Sequence, residues 1–386
     1  MKILHVVPTY YPAIRYGGPI WSVHSLCKSL VSLGHEIHVV TSNVDGNQIL
    51  DVPMGNPQCI DGVSVSYFPV NFLKKYFWSS AMFRYINQSA KEYDFMHLHS
   101  CFLAPTAYAA RIARKCNIPW CVAPRGSLVP ELIKKKSFFV KSLALNTYEK
   151  SNLENAKFIH ATSELEKIQM QRLHLNLPNI RIIPNGVEIP NLRSLQGEYI
   201  NQTQKPYILY LGRISWKKRI DRLILAMKAL PEFQLVIAGN DEENLIPDLI
   251  QIAFQANVNH QVDFVGPTYG LLKNQLLANA QALILPSENE NFGNVVLESF
   301  ACARPVAVSQ HVGLANTVVS SGSGIVISDD PTKMGNQLAD YLSNPVNLQL
   351  MGDRGLKLVL RDYAWVSIAQ KTAELYADYQ DKISVD

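Results

Sequence analysis

No stretch of the 386 residues approaches the roughly 20 uninterrupted apolar residues that a membrane-spanning helix requires, so no such helix is expected. Cysteine is scarce and scattered: Cys27, Cys59, Cys101, Cys116, Cys121 and Cys302 form neither a CxxC pair nor a Cys/His ligand array. A disulfide scaffold and a zinc site are therefore not indicated, and the thiols read as buried. Asp-x-Asp occurs nowhere. No Gly-x-Gly-x-x-Gly follows the first strand of either half, which disfavours an NAD-linked dehydrogenase. Short-period repeats and low-complexity tracts are absent too. The opening MKILHVV lacks the longer apolar region and small-residue cleavage site of a secretory signal, so cytoplasmic residence is expected.

What is present is the composition of an ordinary soluble enzyme, with 47% apolar and 18% charged residues, which excludes disorder and collagen-like structure. The length suits two domains. The net charge of +4 hides an asymmetry: residues 1–190 carry 20 Lys and Arg against 12 Asp and Glu, and the remainder 16 against 20. A basic first half points to an anionic surface or substrate as its partner, and nucleic acid is not implied by any motif.

Apolar periodicity sets out the organisation. Ile3–Val7 reads as a strand, followed by a loop with Gly17, Gly18 and Pro19, a helix over Trp21–Leu33 closed by Gly34, and a strand at Glu36–Thr41. The alternation continues through Phe95–Leu98, Pro105–Cys116, Trp120–Ala123, a long helical stretch over 130–155, Phe158–Ala161 and Ile180–Ile183. It restarts at Pro206–Leu211, with a helix over Arg219–Leu230 and strands at Gln234–Ala238, Val262–Val265, Ala282–Leu285, Val306–Val308 and Gly324–Val326. Two α/β sets joined by a polar segment predict two Rossmann-like, doubly wound parallel-sheet domains facing each other across a cleft, with ligands at the carboxyl ends of the strands. We place them at 1–190 and 191–364, with a closing helix from Trp365 in 365–386.

The segment Pro286–Pro305, PSENENFGNVVLESFACARP, starts at a strand end and runs into a helix from Asn294. Glu290 then lies in the loop and Glu298 within the helix, so both can address one ligand. The peptide groups of Asn291, Phe292, Gly293, Asn294 and Val295 form a helix start that favours phosphate or a developing anion.

This pattern resembles the donor-binding signature of the retaining glycosyltransferases of family 4, the two-domain GT-B enzymes. LGRISWKK at 211–218 resembles the family's Gly-Arg with Lys five residues on, which implies that Arg213 and Lys218 clamp the donor diphosphate. A fixed guanidinium and ammonium can stabilise a departing nucleoside diphosphate without a metal. The Gly17-Gly18 loop resembles the family's N-terminal glycine loop beside the donor phosphate. DFMHLHS at 94–100 resembles the strand ending in His-x-His, which implies that His99 lies beside the reacting sugar, with His97 on the same face. PRGSL at 124–128 resembles the Pro-Arg-Gly of the surface-polysaccharide branch and implies Arg125 as a cleft residue. IPNGV matches the domain junction, where Asn185 and Gly186 shape the hinge, and Val265-Gly266 matches the position that packs on the nucleobase. The resemblance implies Glu298 on the ribose hydroxyls and Glu290 on the donor sugar. It departs from the pattern at Ala303 and Arg219, where the family usually has Gly, and at Asn316, often Glu there.

Residues 131–148, ELIKKKSFFVKSLALNTY, combine Lys134, Lys135, Lys136 and Lys141 with Phe138, Phe139, Leu143 and Leu145, the composition of a basic amphipathic helix on an anionic membrane. The resulting expectation is a cytoplasmic glycosyltransferase, peripheral at the inner face of the cell membrane. It moves a hexose from a nucleotide-diphosphate sugar, UDP-glucose first, to a saccharide or lipid-diphosphate-linked acceptor in polysaccharide or exopolysaccharide biosynthesis, without cofactor or metal. The alternatives are a nucleotide-sugar epimerase and a catalytically silent nucleotide-sugar-binding partner subunit.

Overall fold

The computed structural model describes residues 1–13, 15, 18–135, 138–195 and 205–380. The chain divides into two compact units, Met1–Gly186 with Trp365–Asp386, and Val187–Ala364.

The first unit is built on β1 (Lys2–Thr9), β2 (Glu36–Ser42), the short ribbon β3 (Val44–Asp45) with β4 (Gln48–Ile49), then β5 (Gln58–Ile60), β6 (Val63–Phe68), β7 (Phe95–His99), β8 (Trp120–Ala123), β9 (Phe158–Ala161) and β10 (Ile180–Ile182). Its eight-stranded sheet has the order β10-β9-β8-β7-β1-β2-β6-β5, parallel throughout except for β5 against β6. Because helices cover both faces, the strands are continuous apolar runs in which nearly every residue of β1, β7, β8 and β9 is buried. One core lies on each face, around Leu26 and Leu30 of the helix Gly18–Ser32 on one side and Ile112 of Ala104–Lys115 on the other. The closing helix Trp365–Gln380 belongs to this unit, with Ile368, Ala369 and Tyr376 in the first of those cores.

The second unit has β11 (Tyr207–Leu211), β12 (Gln234–Ala238), β13 (Val262–Gly266), β14 (Leu283–Leu285), β15 (Val306–Ser309) and β16 (Gly324–Ile327), all parallel in the order β13-β12-β11-β14-β15-β16. In both sheets the order reverses once along the chain, at β1/β7 and at β11/β14. The loops leaving the carboxyl ends of those strands diverge to opposite faces and leave room for a ligand.

The predicted helix over 130–155 is corrected. The chain forms Pro130–Lys135, Phe138–Ala144, a wide turn at Leu145–Glu149 and Lys150–Glu154. Leu145, expected on an exposed apolar face, packs against the unit's core instead.

Candidate functional site

In the second unit two loops meet at the strand-order reversal. The first leaves β11 through Gly212 and Arg213, pairs Ile214 with Asp241, and tightens into a 3-10 turn, Trp216–Lys218. The second leaves β14 and carries Glu288 and Glu290 to the helix Asn294–Ala301. The Glu288 N–H donates to the Lys217 carbonyl at 2.8 Å, and Lys218 Nζ forms an ion pair with Glu290 Oε2.

Lys218 is 9% exposed. Burial first, then the charges of Lys217 and Arg213, draws its ammonium down to about 7. Arg213 is more exposed and reaches Glu242 Oε2 at 3.4 Å, so its fork stays accessible to a ligand.

The Glu290 loop is held from behind by the turn after β15. Glu290 N–H donates to the His311 carbonyl (3.1 Å), Gly313 N–H to the Glu290 carbonyl (2.9 Å), and Leu314 N–H to the Phe292 carbonyl (3.1 Å). A Cβ on Gly313 would lie 2.1 Å from the Asn291 carbonyl oxygen, so only glycine permits this approach. Gly293, with φ +95°, turns the chain into the helix, which starts at Asn294 as expected, with Val295 in its first turn and Phe292 buried behind it.

Glu298, in that helix, pairs with Lys273 Nζ at 3.1 Å. The two glutamates therefore have different cationic partners in this structure. Val265 and Gly266 end β13, where the Gly266 carbonyl accepts from Gly239 N–H at 2.9 Å. Gly239, Lys217 and His311 were missed by the sequence reading, since each contributes mainly through backbone geometry that no side-chain pattern signals.

In the first unit, four histidines from β1, β7 and β9 form two hydrogen-bonded chains. His160 Nε2 must donate to the Ile183 carbonyl (2.8 Å), so in a neutral ring its Nδ1 accepts from His97 Nε2 (3.3 Å), and His97 Nδ1 accepts from the Tyr376 hydroxyl (2.7 Å). Arg125 Nε donates to His99 Nδ1 (3.2 Å), which leaves His99 Nε2 to donate to His5 Nδ1 (3.1 Å).

Burial, reinforced by Arg125 or neighbouring imidazoles, lowers all four titrations: His5 and His160 to about 3, His97 and His99 well below the usual value. His99 is 1% exposed, with both ring nitrogens engaged by protein. The structure thus places it inside the unit, behind Arg125. Its partner His5 sits opposite His97 in the β1/β7 register. The signal available in sequence was a histidine inside an apolar run on the neighbouring strand.

His5, His97 and His99 each have a ring nitrogen within 4.8 Å of the others. Yet the His97 and His99 rings stack at 4.1 Å and 26°, and those of His5 and His99 lie 20° from parallel. Side-by-side lone pairs do not converge on a tetrahedral ion. A hydrogen-bonded ladder accounts for the cluster.

Arg125 follows β8 with φ +50° and is partly buried. Its Nη1 donates to Ser22 Oγ (3.3 Å) and to Asn185 Oδ1 (3.2 Å), joining two predicted site residues. Gly18 opens the helix Gly18–Ser32, and Gly17 lies outside the described residues, as does Lys136. In the basic segment, Phe139 and Leu143 are 86% and 66% exposed, while Lys141 Nζ lies 5.6 Å above the Phe102 ring. Among the described residues no helix is long and apolar enough to cross a membrane.

Residues 17–186 match the family model described as a glycosyl transferase 4-like domain, and residues 195–357 match that of the glycosyl transferases group 1. The chain is 27% identical over 400 residues to an uncharacterised glycosyltransferase of Methanocaldococcus jannaschii, covering 97% of this chain and 98% of that one. It is 23% identical over 405 residues to a glycogen synthase of Mycobacterium tuberculosis, covering 97% and 94%. Among solved structures, a sucrose-phosphate synthase from Thermosynechococcus elongatus superposes with a TM-score of 0.78 at 21% identity over 98% of both chains. Anabaena HepE in complex with UDP-glucose superposes at 0.75 with 18% identity, covering 98% and 100%. At those identities the likeness is one of fold.

Proposed function

Because the chain belongs to the group 1 glycosyltransferases and has their GT-B fold of two parallel-sheet α/β units, we propose that it moves a hexose from UDP-glucose or a close relative to a saccharide or lipid-diphosphate-linked acceptor in polysaccharide biosynthesis. The observation that carries this reading is the meeting of Lys218 and Glu290 where the order of the second sheet reverses. An ammonium and the nearby accessible Arg213 fork suit a diphosphate, and the helix start at Gly293–Asn294 adds peptide dipoles of the same sign.

In this reading transfer proceeds with retention and without a metal, the second unit holding the donor and the first the acceptor. Arg213 and Lys218 stabilise charge on the departing nucleoside diphosphate, which itself helps deprotonate the acceptor. Glu290 addresses the donor sugar and Glu298 the ribose. A cytoplasmic enzyme resting on the membrane through residues 131–148 is consistent with the exposed Phe139 and Leu143 beside Lys141.

The test is nucleotide release from UDP-, GDP-, ADP- and TDP-sugars, with and without EDTA, by wild type, Arg213→Ala and Lys218→Ala. Slow release from one donor, indifferent to EDTA and reduced about 100-fold in either variant, is the expected result, since one preorganised donor contributes roughly 3 kcal/mol in a transition state. Failure to bind any nucleotide would favour a silent homologue.

A further inference from the structure

The geometry points to an oxyanion subsite in the first unit, built on Arg125 and the first turn of the helix Gly18–Ser32, which takes a negatively charged group on the acceptor. The inference rests on the glycosyltransferase reading and adds a substrate class to it.

Among the described residues Arg125 is a cation held only by neutral groups. Its three hydrogen bonds go to an imidazole, a hydroxyl and an amide oxygen, at His99, Ser22 and Asn185. Its Nη2 has no partner among the described residues. Among the described residues the one carboxylate whose charge is felt there is Glu166. Glu166 is committed elsewhere: Oε1 accepts from Gly126 N–H at 2.7 Å, and Oε2 from Thr162 N–H and hydroxyl at 2.7 and 2.9 Å. A partly buried guanidinium without a counter-charge is costly, and an anion that enters its fork offsets that cost.

The surroundings are arranged for this. The Ser22 hydroxyl donates to the Pro19 carbonyl at 3.1 Å and so presents its lone pairs to Arg125. His99, neutral and fixed by His5, presents Nδ1 to Nε. Both hold the fork in place without neutralising it. The first turn of the helix Gly18–Ser32 carries no acidic residue, so its dipole adds to the guanidinium's field. Arg125 itself occupies the left-handed region, φ +50°, a strained conformation for a residue with a Cβ. Strain of this kind gathers where a side chain must be aimed.

Arg213 and Lys218 already offer two cations to a donor diphosphate from the other unit. Arg125 therefore serves the second substrate, whose anionic group is a phosphate or a carboxylate, both matched by a planar fork.

The experiment is equilibrium binding to the full chain of UDP, glucose 6-phosphate, glucuronate and glucose, comparing wild type with Arg125→Gln and Lys218→Ala. At least one anionic sugar should bind better than glucose and lose tenfold or more in Arg125→Gln, whose UDP affinity changes less than twofold. Lys218→Ala should show the reverse. Preference for glucose 6-phosphate assigns a phosphate, and preference for glucuronate a carboxylate. If Arg125→Gln is unfolded by circular dichroism, Arg125→Lys keeps the charge and loses the fork, and should weaken the same probe severalfold. Equal anion binding in wild type and variant, no anionic preference over glucose, or parallel loss of UDP would overturn the proposal. Wild type that binds no nucleotide would instead count against the glycosyltransferase reading, whatever the sugars do.

Discussion

Lys218 and Glu290, 72 residues apart in sequence, form an ion pair where loops from β11 and β14 meet at the reversal of the second sheet. The ammonium is buried, and burial draws it down to about 7.

Glu290→Gln keeps the shape and removes the counter-charge. In the wild type Lys218 is cationic below about pH 7 and neutral above it, so UDP affinity should fall about tenfold between pH 6.5 and 8.5, each pKa-sized step costing about 1.4 kcal/mol. In the variant the proton is held less tightly, so the fall should set in at lower pH. Calorimetric titration at the two pH values checks this, and parallel profiles would mean that Glu290 does not govern the charge of Lys218.

Ala303 and Arg219, the two places where glycine is usual in the resembling family, both lie in the left-handed region, at φ +54° and +52°. Ala303 follows the helix Asn294–Ala301, where a left-handed residue closes the last turn. Replacing it by glycine relieves the Cβ clash at some cost in unfolded-chain entropy. Ala303→Gly should therefore stabilise the protein by about 0.5–1 kcal/mol in urea unfolding. Arg219→Gly should gain less, since Arg219 also makes two bonds to Asp221 at 3.0 and 2.8 Å and one to Glu288 at 3.3 Å. Equal gains at the two sites would show that those bonds contribute nothing.

The strands were legible because a sheet covered on both faces leaves runs such as YILYL and QLVIA with no polar position to disguise them. β6, VSVSYF, escaped notice: two of its six residues are serines, yet Ser66 is buried because its hydroxyl bonds His38 Nε2 at 2.9 Å. Helices such as Ile246–Gln255 and Pro345–Asp362 were not assigned either. Their exposed apolar residues, Phe254 at one and Leu360 at the other, blur the stripe that periodicity relies on. For the site, motif spacing located Lys218 and Glu290 but not their mutual pairing, which depends on how the two loops fold over each other. The environment of His99 was invisible for a similar reason, because His5 and His160 come from strands 94 and 61 residues away in sequence.

The histidine ladder makes acid the weak direction for the first unit. His5 and His160 titrate near 3 when folded, because of burial and then Arg125, whereas an unfolded histidine titrates near 6.5. The unfolded chain therefore binds more protons across that window. The ladder's contribution to stability is complete above about pH 6.5 and declines as pH falls toward 3. Tyr376→Phe should lower stability at neutral pH by about 1–3 kcal/mol, since it leaves the buried His97 Nδ1 without its donor. Urea unfolding at pH 7.5, 6 and 5 reads both effects. A variant as stable as wild type at pH 7.5 would break the inferred direction of the chain.

Glu149 works in the opposite sense. It is 3% exposed, and its Oε2 accepts from Phe102 N–H at 3.2 Å, but burial outweighs that bond and the Cys101 contact and raises the carboxyl to about 7. Between pH 4.5 and about 7 the folded chain holds a proton that the unfolded chain has released. Stability from this group is thus full below pH 4.5 and is lost as pH rises through 7, by about 3 kcal/mol in all. Glu149→Gln retains an oxygen for Phe102 N–H and has no proton to lose. Relative to wild type, its urea-unfolding free energy should be nearly unchanged at pH 4.5 and about 3 kcal/mol higher at pH 8. The comparison cancels the histidine contribution, which is common to both proteins. A constant difference across the range would mean that the carboxyl is ionised in the folded protein at every pH tested, with water or a cation reaching the turn at Leu145–Glu149.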